Sequence, residues 1–131
     1  MNRPSHNDDI LIVDDQQSMR LLLAGLLRNL DFVNIRQAAS GGKALELTRE
    51  RLPALLFLDL EMPDMHGLEV LEKLRNAPGG EDVFVVIQTG SATRENVDRA
   101  RELKVNDLLA KPYNAEKLSA SIARYRSATA G

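Results

Sequence analysis

Four apolar runs in this chain each lead into a side chain that could handle a phosphoryl group. Ile10-Leu11-Ile12-Val13 leads into Asp14-Asp15, Ala54-Leu55-Leu56-Phe57-Leu58 into Asp59, Val83-Phe84-Val85-Val86-Ile87 into Gln88-Thr89, and Leu108-Leu109-Ala110 into Lys111. Short runs of this composition read as buried strands. In an open parallel sheet with helices on both faces, ligands bind outside the carboxyl ends of the strands. Three carboxylates, a hydroxyl and an ammonium would then converge on one site. Clustered carboxylates suit Mg²⁺, which takes oxygen ligands and shares them with phosphate oxygens. A carboxylate can also attack phosphorus and form an aspartyl phosphate, a reaction that depends chiefly on positioning and charge neutralisation.

Each residue also has a plainer reading. An isolated Asp-Asp pair more often caps a helix, and a lone lysine is usually a solvated charge. Asp59 shifts the balance, because a carboxylate closing an apolar central strand is costly to bury unless it is paired, coordinated or reactive. Lys111 precedes Pro112, which sets the ammonium at a rigid turn on the same rim.

The elements that must position these groups alternate along the chain. Met19, Leu22, Leu23, Leu26, Leu27 and Leu30 recur at helical spacing and predict a first helix with all six turned inward. A second strand spans residues 33–38. Ser40-Gly41-Gly42 turns the chain, and Ala44, Leu45, Leu47 and Leu52 predict a second helix that stops before Pro53. The run 54–58 is apolar on both pleat faces, which places it in the middle of a parallel sheet. Leu68, Leu71 and Leu74 mark a third helix. A fourth, over about 93–103, carries only Val97, Ala100 and Leu103 as apolar positions and should pack lightly. Ala115, Leu118, Ile122 and Tyr125 mark the fifth.

The chain has 131 residues, no cysteine and a formal net charge of −2. That length suits one domain able to bury a core without disulfides. Cysteine-based zinc sites are excluded. Acids and bases are interspersed, so no broad basic face draws nucleic acid or anionic lipid directly. No apolar run approaches the length of a membrane span, which predicts a soluble, cytoplasmic protein. Residues 1–8 read as a disordered leader, 9–126 as the domain and 127–131 as a flexible tail.

Taken together, Asp14-Asp15, Asp59 within Leu58-Asp59-Leu60-Glu61-Met62-Pro63-Asp64-Met65-His66-Gly67, Thr89-Gly90 and Lys111-Pro112 resemble the receiver domains of two-component response regulators, over nearly the whole chain. The resemblance implies a doubly wound α/β fold, a five-stranded parallel sheet of order 2-1-3-4-5 with five helices. Asp59 would accept a phosphoryl group from a histidine kinase, a phosphotransfer protein or acetyl phosphate. Asp15 and Asp59 would bind Mg²⁺ directly, the Glu61 backbone carbonyl would be a further ligand, and Asp14 would act through metal-bound water. Thr89 would hydrogen-bond the phosphoryl group, Lys111 would pair with it, and the Lys111–Pro112 peptide would be cis.

Two positions depart from the family pattern. Leu108 stands where an aromatic ring usually follows the threonine, and Lys104-Val105 stands where Gly-Ala often precedes the fifth strand. Glu61 and Ser91 occupy positions whose side chains tune phosphoryl lifetime in this family. His66 and His6 lack partners at ligand spacing, and Gly41-Gly42 lacks the rest of a phosphate-loop fingerprint. No effector segment follows residue 126, so output is expected by docking of a partner protein on the fourth helix, fifth strand and fifth helix. The alternatives are a phosphoryl sink or shuttle without its own output, and a small aspartate-nucleophile phosphatase.

Overall fold

The structure is a computed structural model that describes residues 8–129. Its strands are β1 (Asp9–Val13), β2 (Asn34–Ala38), β3 (Leu55–Asp59), β4 (Phe84–Thr89) and β5 (Asp107–Ala110). They form one parallel sheet in the order β2-β1-β3-β4-β5. Helices α1 (Gln17–Asn29), α2 (Gly41–Glu50), α3 (Gly67–Asn76), α4 (Arg94–Glu102) and α5 (Ala115–Thr129) make the connections, and one 3-10 turn (Gly80–Asp82) precedes β4. This is the expected doubly wound fold.

Alternation of side chains along the strands divides the core in two. Ile10, Ile12, Leu55, Phe57, Phe84 and Val86 meet Leu23 and Leu27 of α1 and Leu118, Ile122 and Tyr125 of α5. Leu11, Val13, Leu56, Leu58, Val85 and Ile87 meet Ala44 of α2 and Val70, Leu71 and Leu74 of α3. β3 is buried at every position, as its unbroken apolar sequence demands. α4 buries only Ala100, which matches its thin apolar stripe.

Caps fix where the helices begin. Ser40 Oγ accepts from Lys43 N–H at 3.1 Å, Thr93 Oγ1 from Asn96 N–H at 3.1 Å, and His66 Nδ1 from Leu68 N–H at 3.1 Å. His66 thus has a structural task that its spacing alone did not disclose. Gly67 follows, and a Cβ there would lie 2.4 Å from the Asp59 carbonyl oxygen. The start of α3 can pack beneath the end of β3 only without that atom.

Several sequence expectations are corrected. Leu22 is 57% exposed, because α1 turns Leu23, Ala24 and Leu27 to the sheet and Leu22 falls off that stripe. α2 ends at Glu50, since Arg51 is already extended, and Leu52 packs on the core from the loop. Asp8, assigned to the leader, is buried and accepts a hydrogen bond from the Tyr125 hydroxyl at 2.6 Å. α5 continues through Thr129, past residue 126 where the tail was to begin, and the Thr129 hydroxyl donates to the Tyr125 carbonyl at 2.9 Å. The rest of the expected leader, residues 1–7, and of the tail, 130–131, lies outside the described residues. The Lys111–Pro112 peptide is cis.

The Lys104-Val105 departure has a defined solution. Lys104 takes φ 59°, the left-handed conformation that glycine adopts more readily. Lys104 N–H reaches Arg101 O at 3.0 Å and Val105 N–H reaches Ala100 O at 3.1 Å, the paired bonds of a Schellman ending. The Arg75 guanidinium then donates to the carbonyls of Leu103, Gly80, Val83 and Lys104 and to Asn106 Oδ1. One side chain therefore ties the end of α3 to the starts of β4 and β5.

Candidate functional site

At the carboxyl edge of the sheet, β1 and β3 deliver three acids to one place. Asp14, Asp15 and Asp59 each present a carboxylate oxygen, all within 4.8 Å of one another. Asp14 and Asp59 are buried, whereas Asp15 is exposed and has no side-chain partner among the described residues. Asp14 is already engaged: Oδ1 accepts from Gln16 N–H at 2.9 Å and Oδ2 from Lys111 Nζ at 2.9 Å. Lys111 Nζ also lies 3.5 Å from Asp59 Oδ1, and Glu61 N–H donates to that same oxygen at 3.2 Å.

These surroundings set the charge state of Asp59. Burial pushes its carboxyl up, Lys111 pulls it down and Asp14 pushes it up again, leaving it at about 6 against an ordinary 3.8. Burial alone would lower the Lys111 ammonium, but its bond to Asp14 and the charge of Asp59 outweigh that and hold it above its ordinary value. The lysine is therefore a fixed positive charge at the acidic cluster.

Thr89 is buried beside this cluster, with its hydroxyl donating to Glu61 Oε1 and accepting from Ser91 N–H at 2.9 Å. The structure thus brings Asp14, Asp15, Asp59 and Lys111 together and directs Thr89 to Glu61. Sequence reasoning gave no role to Gln88 or Tyr113. Gln88 is in register with Asp59 and only 1% exposed, and the Tyr113 hydroxyl donates to its Oε1 at 2.7 Å. Burial and the charge of Asp14 raise the Tyr113 hydroxyl to about 12, so it remains a donor. Its place two residues beyond Lys111 was the available signal. Asp64 was likewise passed over: its carboxylate accepts Gly41 N–H at 3.1 Å and Gly42 N–H at 3.0 Å, and those bonds hold its carboxyl below the ordinary value. The loop after β3 is thereby docked on the amino end of α2, and Gly41-Gly42, expected as a turn, instead forms the first two residues of that helix and gives its N–H groups to Asp64.

A family model, the response regulator receiver domain, matches residues 10–123. The chain belongs to this family. The receiver is 37% identical over 113 residues to the "Probable chemotaxis protein CheY" of Rhizobium etli, covering 86% of this chain and 88% of that protein. It is 31% identical over 119 residues to the sporulation initiation phosphotransferase F of Bacillus subtilis, covering 91% of this chain and 94% of that one. Among solved structures, a CheY-like response regulator receiver domain protein from Methanospirillum hungatei superposes with a TM-score of 0.84 at 27% identity, covering 92% of the receiver and 94% of that chain. The receiver is accordingly a two-component signalling domain. Among the described residues, no helix is long and apolar enough to cross a membrane.

Proposed function

We propose that this receiver is a phosphoacceptor that takes a phosphoryl group on Asp59 from a histidine kinase or phosphotransfer protein in the cytoplasm and signals by altering a docking surface. The observation that carries this reading is Asp59 itself, a buried carboxylate at the end of the central strand with Lys111 Nζ 3.5 Å away and two further acids beside it. An Asp59 carboxylate oxygen attacks phosphorus in line. The bond from phosphorus to the donor nitrogen, or to the acetate oxygen of acetyl phosphate, breaks, and the donor departs with that electron pair. Hydrolysis by water returns the carboxylate and releases inorganic phosphate.

An all-oxygen cluster of three carboxylates fits Mg²⁺. Asp15 and Asp59 would hold it directly, with the Glu61 backbone carbonyl, and Asp14 would do so through water. When bound, Mg²⁺ supplies positive charge against the phosphoryl oxygens. The chain's own part is to orient Asp59 through Glu61 N–H, keep Lys111 charged at the cluster, and offer the Thr89 hydroxyl as a donor. Output would run through α4, β5 and α5, where α4 buries a single residue and so can be rearranged at low cost.

Intact mass after incubation with Mg²⁺ and acetyl phosphate tests the reading. One phosphoryl group is expected on wild type, none on Asp59→Asn and none under excess chelator. No adduct on wild type from either acetyl phosphate or a phosphorylated donor protein would overturn it. Leu108 in place of a ring supports a second reading, a phosphoryl sink or shuttle. Transfer without any partner whose binding depends on phosphorylation would establish that one instead.

A further inference from the structure

Thr89 has one hydroxyl proton and therefore one hydrogen bond to give. In this structure it is given to Glu61 Oε1, while Ser91 N–H occupies the threonine oxygen as an acceptor at 2.9 Å. A threonine bound in this way cannot also donate to a phosphoryl oxygen on Asp59. Glu61 stands close to that acceptor, since its backbone N–H reaches Asp59 Oδ1 at 3.2 Å. A phosphoryl group on Asp59 would replace the single carboxylate charge with about two, a net gain of one negative charge beside the Glu61 carboxylate.

We propose that the Glu61 side chain is a positioning residue that latches Thr89 in the unphosphorylated state, so that phosphorylation of Asp59 must displace the carboxylate before the hydroxyl can turn to the phosphoryl group. This rests on the phosphoacceptor reading above and deepens it. The exchange is of hydrogen bonds only: the Thr89 O–H leaves Glu61 Oε1 and is accepted by a phosphoryl oxygen, and the freed carboxylate, on an exposed residue, is hydrated. The latch lowers phosphoryl occupancy at a given donor concentration.

The consequence extends beyond the site. The Ser91 carbonyl accepts from Asn96 Nδ2 at 3.2 Å, and Asn96 N–H is bound by the capping hydroxyl of Thr93 at 3.1 Å. A hydrogen-bonded path thus runs from Asp59 through Glu61, Thr89 and Ser91 to the first turn of α4. Leu108 has no polar atom with which to follow the threonine from β5, so release of the latch is transmitted along the loop between β4 and α4.

Four variants test the latch: Glu61→Ala, Glu61→Gln, Thr89→Ala, and Glu61→Ala combined with Thr89→Ala. In the metal-free, unphosphorylated protein, Glu61→Ala is expected to shift the Ser91 backbone and Asn96 side-chain amide resonances. Glu61→Gln, whose amide oxygen still accepts the hydroxyl, leaves them near wild type. With Mg²⁺ present, Glu61→Ala is expected to lower the acetyl phosphate concentration for half-maximal phosphorylation by about 5-fold, the equivalent of one hydrogen bond. Glu61→Gln stays within about 2-fold of wild type, and Glu61→Ala has an effect below about 2-fold when residue 89 is alanine. An equal effect in both backgrounds, an unmoved Ser91 resonance in Glu61→Ala, or a glutamine variant that behaves like alanine would overturn the latch. A wild type that takes no phosphoryl group would overturn the phosphoacceptor reading instead, and the resonance shifts would still report on the contact.

Discussion

Lys111 Nζ lies 2.9 Å from Asp14 Oδ2 and 3.5 Å from Asp59 Oδ1, so in this structure the ammonium is bonded to the acid of β1's edge and only attracted to that of β3. Asp59 is thus the less compensated of the two buried carboxylates. Burial raises its carboxyl, Lys111 offsets that only in part, and the result is about 6.

That displacement fixes the sign of a pH effect. Below the ordinary value of 3.8, Asp59 is protonated in both folded and unfolded chains. Between 3.8 and about 6 the unfolded chain loses the proton while the folded chain keeps it, so this group's contribution to stability falls as pH rises through that window and levels off above it. We expect metal-free Asp59→Asn to be more stable than wild type at pH 7 by roughly 1–3 kcal/mol, with the difference vanishing near pH 4. Urea denaturation of both proteins across that range checks it.

The same repulsion makes the fold responsive to Mg²⁺. A cation held by the acids binds the native state alone, so the melting temperature should rise with Mg²⁺ concentration. The gain is about 1.4 kcal/mol when free metal exceeds its dissociation constant by about tenfold. Asp15→Asn should reduce that response while leaving metal-free stability almost unchanged, because the Asp15 side chain is exposed and unpartnered among the described residues. Thermal melts with and without metal would reveal a mistaken assignment as an Asp15→Asn curve that still follows wild type.

Lys104 pays for its left-handed backbone with strain that glycine would not incur. Lys104→Gly should therefore stabilise the domain by about 0.5–1 kcal/mol. Arg75→Met should cost about 3 kcal/mol or more, since it strips four backbone carbonyls and Asn106 Oδ1 of a charged donor. Chemical denaturation of the two variants gives both signs in one experiment.

Tyr113 and Gln88 form a polar pair beneath the acidic cluster, and Gln88 Nε2 is buried without a hydrogen-bond partner among the described residues. Tyr113→Phe should cost about 1–3 kcal/mol by leaving Gln88 Oε1 unpaired as well. Adding Gln88→Met removes the stranded amide and should recover most of that loss. A double variant no more stable than Tyr113→Phe would show that the cost lies in packing rather than in the hydrogen bond.

Much of this protein is legible in its sequence. Unbroken apolar runs specify parallel strands buried on both faces, and the carboxyl end of such a strand is where Asp14, Asp59, Thr89 and Lys111 must emerge. The thin stripe of α4 is equally a sequence property, because Val97, Ala100 and Leu103 are all it has to bury. What periodicity could not settle was which of two adjacent leucines α1 would turn inward. Leu22 and Leu23 both fit a helical repeat, and the packing of α1 on the sheet buries Leu23 with Ala24 and Leu27 and leaves Leu22 outside. The ends of the domain were also decided by packing, through the buried bond between Asp8 and Tyr125.

Within the site, residue types and strand ends determined which groups gather, while tertiary structure alone decided how they are paired. Glu61 lies 28 residues from Thr89, Lys111 lies 97 from Asp14 and Asp64 lies 23 from Gly41. No local pattern encodes such pairs, because each polar atom takes whichever partner the packed elements leave within hydrogen-bonding reach, and burial makes an unpaired alternative costly.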